Sequence, residues 1–290
     1  MTKAFLGLPA PAKLNLFLHV TGRRPDGKHL LQSAFVLINL CDTIDITLRD
    51  DDRIVRTGDV VGDIEKDLCV RAARALQSAT GMRLGAEIHL EKRIPSQAGM
   101  GGGSSDAATV LLALNRLWNL GLSRTELMRL GLTLGADVPF FLFGQNAWAE
   151  GIGDELRPIS LPSSQFLVVW PGRGLSTAEI FSHPSLTRNT KSERMEVFSD
   201  FVRHHGSPLF GHNDLQIVAE RLEPRVSDAL TRIRQGGFEA RMTGSGSAVF
   251  AEVSDADRAA RKVLSDLPDD WRGFLCRMLA EHPLAAWCTE

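Results

Sequence analysis

The sequence predicts an α+β fold divided into two domains. Predicted strands and helices mix without the strict alternation of a doubly wound parallel sheet. The 290 residues suit one large domain or two modest ones. No stretch of twenty to fifty residues repeats and none is of low complexity, which excludes a solenoid. The boundary is placed between Gly153 and Gln165, giving domains of residues 1–157 and 158–290.

Leu14–Val20 reads as a strand, followed by a turn at Pro25-Asp26-Gly27. Ala34–Leu40 and Thr43–Leu48 read as two further strands. Asp67–Ala79 reads as a helix, because Leu68, Ala72, Ala75, Leu76 and Ala79 recur at helical spacing. Ala86, Ile88 and Leu90 alternate with polar residues, a half-buried strand running toward Pro95. A glycine-rich loop follows, then a helix from Ser104 to Trp118 with one continuous apolar face. Ser123-Arg124-Thr125-Glu126 has the form of a capping box, and Asp137-Val138-Pro139 starts a short helix. Gln165–Trp170 reads as a buried strand. Ser182–His212 is polar and reads as irregular, with a mobile loop. Helices are expected over Asp214–Leu222 and Pro224–Gln235, the second closed by Gly236-Gly237. Arg241–Ser247 joins two short strands, and Asp255–Leu264 is the final helix.

Composition narrows the function classes. Hydrophobic residues make up 43% and charged residues 23%, as in a globular enzyme with a real core. Lys and Arg total 33 against 35 Asp and Glu, and the net charge of −2 argues against a basic nucleic-acid or membrane-surface binder. Tyrosine is absent, so no tyrosyl acid, phenolate nucleophile or Tyr stacking platform exists. Cys41, Cys69, Cys276 and Cys288 are scattered, with no zinc-type spacing, and read as free thiols in a reducing compartment, two of them core filler. Apolar runs such as Val138–Phe143 are too short to span a bilayer, and the N-terminus lacks a signal pattern. A cytoplasmic protein with no membrane partner is expected.

The strongest chemical signal is Pro95-Ser96-Gln97-Ala98-Gly99-Met100-Gly101-Gly102-Gly103-Ser104-Ser105. Four glycines in five positions let successive backbone N–H groups turn toward an anion, and the following helix adds its positive end. Ser104 and Ser105 can cap that helix and offer hydroxyls to phosphate or to a metal-bound water. A flexible turn with a serine cap explains two crowded glycines; phosphate binding explains four better. Gly22-Arg23-Arg24-Pro25-Asp26-Gly27-Lys28-His29 imitates a P-loop but lacks the Ser or Thr that holds magnesium, and reads as a chance match.

Asp137 is either an N-cap carboxylate or a base for a substrate hydroxyl, and the two roles are compatible. Lys13 interrupts an apolar strand. It is either a snorkelling edge residue or, if close to Asp137, the cation that keeps that carboxylate ionised and bears charge on a transferring phosphoryl. Gly244-Ser245-Gly246 is a tight strand connection or a second anion loop.

The Pro11-Ala12-Lys13-Leu14-Asn15-Leu16 stretch, the loop from Pro95 to Ser105 and the turn from Met242 to Ala248 together resemble the GHMP kinases. Within that family, further segments resemble the branch acting on a cytidine-diphosphate derivative of methylerythritol. These are Pro11 to Leu18, Arg24 to Ser33, Leu134 to Phe140, Glu150 to Asp154, Asn213 to Gln216 and Met242 to Phe250. The resemblance implies a two-domain fold with its active site in the cleft between domains, the first binding ATP and the second contributing to substrate binding. It implies an ATP- and Mg²⁺-dependent kinase of non-mevalonate isoprenoid precursor synthesis that phosphorylates the 2-hydroxyl of this small-molecule substrate. It places the active-site Lys on Lys13, the active-site Asp on Asp137 and the ATP-phosphate loop on Pro95–Ser105. It places a substrate-pocket Asn on Asn15, the cytosine-edge contact on His29, an aromatic sandwich on Phe35 and Phe181, and further substrate contacts on Thr177, Gly244, Ser245 and Gly246. The metal ligands stay unassigned. Where the family reads Gly-Tyr-His this chain has Gly27-Lys28-His29, which puts the aromatic contact on Phe35 and Phe181. Two other readings stay open: a related kinase of mevalonate-like or amino-alcohol substrates, and a nucleotide-binding regulator. The regulator would need the glycine loop but not the Lys13–Asp137 pair.

Overall fold

The fold was analysed in a computed structural model that describes residues 3–60, 62–254 and 257–288. Two long strands open the chain, β1 (Ala4–Arg23) and β2 (His29–Arg49), paired antiparallel over most of their length. They are joined by the Arg24–Lys28 turn, where Gly27 has φ +86° and Asp26 accepts from the Lys28 amide, so the P-loop imitation is a hairpin tip. The two strands expected over 34–40 and 43–48 are therefore one. Their apparent break is a bulge, because Pro11 faces Cys41 while Ala12 faces Ile38. Pro9 and Pro11 are tolerated in β1 because, among the described strands, it pairs only with β2.

The chain continues through β3 (Ile54–Gly58), α1 (Leu68–Thr80) and β4 (Gly85–Glu91). Asp67 caps α1 by accepting from Cys69 N, and Gly81 closes it in the left-handed region. β4 ends at Glu91 rather than continuing toward Pro95. Next come α2 (Gly102–Leu117), α3 (Arg124–Leu134) and α4 (Val138–Phe143). The Ser123–Glu126 capping box is present in full. α2 begins two residues before the expected start, so Ser104 and Ser105 sit inside its first turn. Its cap is Gly101, with no capping side chain.

β5 (Ala147–Glu150), β6 (Glu155–Pro158) and β7 (Gln165–Trp170) follow, then α5 (Thr177–Ser182) and α6 (Met195–His205). The Ser182–His212 stretch is thus not irregular throughout. α6 buries Phe198 and Val202, one turn apart, and ends at Gly206 with φ +66°. α7 (Gln216–Leu222) starts after Asp214, whose carboxylate instead accepts from Val20 N. α8 (Pro224–Gln235), β8 (Arg241–Met242), β9 (Val249–Val253), α9 (Arg258–Ser265) and β10 (Arg272–Leu279) complete the order. The expected beginning of the last helix, Asp255 and Ala256, lies outside the described residues; Asp257 caps α9.

One sheet runs through the molecule in the order β3-β4-β2-β10-β7-β9-β8, with β1, β5 and β6 joined at its first half. β10, which the sequence reading missed, is the link: it pairs with β7 along Arg272–Arg277 and with β2 at Met278 and Leu279. Helices α1–α4 cover one face of the first half, with α2 buried along most of its length. Helices α7–α9 cover β7 and β9 in the second half, and α6 packs with Phe17 and Trp148 between the two. Cys69 and Cys276 are buried, and none of the four cysteines forms a disulfide. Burial pushes the Cys41 thiol up to about 11 and that of Cys276 to about 12, so neither is a ready thiolate.

Candidate active site

The glycine loop between β4 and α2 is held by backbone from three directions. Lys13 N donates to Met100 O at 3.0 Å, Ala248 N to Ala98 O at 3.1 Å and Leu175 N to Gln97 O at 3.1 Å. At Gly99 the loop meets the β8–β9 connection so closely that a Cβ would stand 2.2 Å from Thr243 O. The turn at Gly244-Ser245-Gly246 is therefore both a strand connection and the surface on which the first loop rests. Gly101, at φ +70°, has room for no Cβ either, since one would meet Phe141 and the Lys13 side chain. The first amides of α2, on Gly102, Gly103 and Ser104, precede any intrahelical carbonyl that could accept from them.

This loop borders a cleft of about 580 Å³ lined by residues of both halves of the chain. Its direction can be read from the loop. A Cβ on Gly101 would touch Lys13, one on Gly102 would lie 3.3 Å from Lys92 Nζ, and one on Gly103 3.5 Å from Leu68. Asp137, Asn15, Phe35, Thr177, Phe181, Gly244 and Ser245 also line the cleft, as does every residue from Pro95 to Ser104. Three expected site residues do not: Ser105, His29 and Gly246. Ser105 is fully buried and its hydroxyl has no partner, because the early start of α2 turns it into the core. His29 lies just behind the lining, its ring stacked on Phe181 at 4.9 Å. Lys28 is exposed in the β1–β2 turn, away from the lining.

Lys13 is only 4% exposed, which excludes snorkelling. Its Nζ donates to Asn15 Oδ1 at 2.5 Å, sits 5.0 Å from the centre of the Phe35 ring and is 3.6 Å from Asp137 Oδ2. Asp137 occupies the N-cap position of α4 but its carboxylate makes no capping bond, so it is free to face Lys13. Asn15 is fixed in turn: its N–H donates to Thr243 Oγ1 and its amide group to Ser33 Oγ, both at 2.9 Å. Thr177 and Ser245, both in the lining, share a hydroxyl hydrogen bond of 2.7 Å. The expected Phe35 and Phe181 both reach the cleft. Phe35 packs edge-on against Phe140, and Phe181 carries His29 on one face.

Several roles were not assigned from the sequence, although Ser33, Thr243 and Asn213 lie in its matched segments. Thr243 and Ser33 orient Asn15, and Asn213 holds the second glycine turn by donating to Met242 O and Gly244 O. Behind the first loop, Lys92 Nζ lies 2.5 Å from Asp42 and 2.7 Å from Asp106. Asp42 also accepts from the amides of Arg93 and Ile94, tying down the segment that leads into the loop. Burial, reinforced by the Asp42 carboxylate, pushes the Asp106 carboxyl up to about 7 although Lys92 opposes the shift. No short spacing marks this trio, because Asp42 and Lys92 are brought together by sheet pairing alone.

The GHMP kinase N-terminal domain model matches residues 67–145, and the GHMP kinase C-terminal model matches 198–269. A 4-diphosphocytidyl-2-C-methyl-D-erythritol kinase of Paracidovorax citrulli is 59% identical over 287 residues, covering 98% of this chain and 97% of that relative. The chain belongs to the GHMP kinase family. A kinase of the same name from Ralstonia nicotianae is 55% identical and covers 97% of the chain and 96% of the relative. A crystal structure of 4-(cytidine 5'-diphospho)-2C-methyl-D-erythritol kinase superposes with TM-score 0.78 at 34% identity, over 95% of this chain and 99% of that one. Methanococcus jannaschii mevalonate kinase shares the fold at TM-score 0.67 and 19% identity, over 96% of this chain and 99% of that one. This GHMP kinase is thus a phosphotransferase, and its family implies ATP as phosphoryl donor. No helix among the described residues is long and apolar enough to cross a membrane.

Proposed function

We propose that this GHMP kinase transfers the γ-phosphoryl of ATP to the 2-hydroxyl of 4-diphosphocytidyl-2-C-methyl-D-erythritol, in the isoprenoid precursor route that makes no mevalonate, and that it does so in the cytoplasm. The carrying observation is the 3.6 Å approach of Lys13 to Asp137 in a cleft bordered by the glycine loop and by Phe35 and Phe181. The high identity to relatives of that name supports the substrate.

In this reading the triphosphate lies on Gly99–Ser104 and its charge meets the loop amides and the start of α2. The adenosine end extends past Gly103 toward Leu68 and Lys92, and the acceptor lies on the Lys13 side of Gly101. Asp137 takes the proton of the attacking hydroxyl, and Lys13 bears part of the charge that develops on the transferring oxygens. Asn15 holds Lys13 so that its ammonium is already placed when substrate arrives. Phe35 and Phe181 offer flat apolar faces to the base, with Thr177 and Ser245 supplying hydroxyls nearby.

Mg²⁺ fits the donor set. The described residues contain no cluster of three carboxylate, His or Cys groups suited to a metal, and magnesium needs none when phosphates and water supply most ligands. Ser104 and Asp137 are among the oxygen donors that line the cleft beside the loop; Ser104 Oγ lies 3.8 Å from where a Cβ on Gly135 would stand. Bound there, Mg²⁺ would neutralise phosphate charge.

A coupled ADP-release assay offering the cytidine-diphosphate substrate beside mevalonate and homoserine tests the reading; turnover of only the latter two would refute it. Asp137→Asn is expected to retain ATP binding by calorimetry while kcat falls about 10³-fold. Near-normal turnover in that variant would remove Asp137 from the proton transfer.

A further inference from the structure

Arg188 stands outside every motif and outside the cleft lining, yet its guanidinium gathers four acceptors around the end of the cleft. Nε donates to His29 Nε2 at 3.1 Å, and one terminal nitrogen donates to Leu186 O at 3.0 Å. The other donates to Phe181 O at 3.1 Å and His183 O at 2.8 Å. One side chain thereby ties His29, at the start of β2, to the segment that follows α5 and to the backbone of Phe181. The rings of His29 and Phe181 lie nearly parallel, inclined at 29°.

We infer that Arg188 is a positioning residue that fixes the tautomer of His29 and so sets which base the cleft accepts. The inference rests on the substrate reading above and deepens it. A guanidinium donates and never accepts, and it keeps its protons throughout the physiological range. His29 Nε2 must therefore be the accepting nitrogen. A neutral imidazole that accepts at Nε2 carries its proton on Nδ1. Burial, the adjacent Arg188 and then Arg23 all lower the His29 pKa, which favours the neutral ring this geometry requires.

The consequence is chemical. The ring proton His29 can offer is the one on Nδ1, so toward a ligand it is a fixed donor. Cytosine presents acceptors at N3 and O2. Uracil carries a proton on N3 and would set donor against donor there. A histidine free to exchange tautomers could serve either base; one held by Arg188 favours the base with the unprotonated N3. The stack on Phe181, with the bond from Arg188 to the Phe181 carbonyl, holds the His29 ring against the aromatic wall.

The test has two independent readouts. Long-range ¹H–¹⁵N correlation of the ligand-free wild type at pH 7.5 is expected to show the Nδ1–H tautomer for His29, and Arg188→Met a shift toward Nε2–H. An Nε2–H tautomer or an imidazolium in the wild type overturns the inference, and that reading needs no variant to fold. In steady-state assays Arg188→Met is expected to raise KM for the cytidine-diphosphate substrate about tenfold. KM for ATP and kcat should stay within about threefold, and the preference over the uridine analogue should shrink. An unchanged KM, or a fall confined to kcat, overturns it. If the wild type turns over no cytidine-diphosphate substrate, the proposed function fails while the tautomer measurement still decides the role of Arg188.

Discussion

Lys13 is a buried ammonium group and Lys92 a half-buried one beside the same loop, and their neighbours set them apart. Lys92 lies within 2.7 Å of two carboxylates, whereas among the described residues the only carboxylate paired with Lys13 is Asp137, at 3.6 Å. Lys92 is held, with burial lowering its pKa and the two acids more than offsetting that; Lys13, in the proposed reaction, would keep donors for a phosphoryl oxygen. The excess acid beside Lys92 has a measurable signature. Asp106 titrates near 7 in the fold against 3.8 when exposed, so between those values the folded protein binds more protons than the unfolded chain. Its contribution to stability is therefore greatest below about pH 4 and is lost as pH rises through 7. Asp106→Asn should remove that slope: the difference in Tm between variant and wild type should move in favour of the variant from pH 5 to pH 8. A constant difference across that range would show that Asp106 does not titrate there. Asp106 and Asp42 could not have been paired from sequence, since 64 residues and two strands separate them. The glycine run was legible in its own neighbours. Lys13 and Asp137 each kept two readings that only the family resemblance narrowed, because 124 residues separate them and nothing local shows that they meet.

At the scale of elements, the two glycine turns act as one cradle. Gly99→Ala would push a Cβ into Thr243 O and Gly246 N, backbone atoms that cannot step aside. It is expected to cost about 1–3 kcal/mol of stability and to raise KM for ATP by an order of magnitude or more, read by denaturant titration and initial rates. An unaffected KM for ATP would separate the second turn from the support of the first. The elements legible in sequence were those whose signal is local: α1 and α2 by apolar spacing, α3 by its capping box, β4 by alternation. β3 and β10 were missed because each strand is short or half-exposed and gains its place from distant partners, β10 from Gln165–Trp170 and Leu37–Ile38. α6 did carry a signal, Phe198 and Val202 four apart before a closing Gly206, obscured by the polar residues between.

At the scale of the whole molecule, the halves that flank the cleft are not independent bodies. After β10 the chain packs back on the first half: His282 N donates to Gly144 O, Trp287 meets Phe5 at 4.7 Å, and Arg124 donates to Leu142 O and Ala285 O. Arg124→Ala should therefore weaken the fold by about 1–3 kcal/mol, seen in urea unfolding, with kcat within twofold because no cleft residue is touched. A large loss of kcat at unchanged stability would contradict this. The same return path buries His282, where burial, with Arg124 adding to it, lowers the imidazole pKa to about 4.

The position of β10 also sets a schedule for synthesis. β2 leaves the ribosome early with its Leu37–Ile38 edge awaiting Met278 and Leu279, roughly 240 residues later in the chain. At about 5–20 residues per second, that edge waits roughly 12–48 s for its partner. Throughout that interval the nascent first half presents an open strand edge to every other chain nearby, so the period of greatest risk from misassociation falls before the cleft can exist.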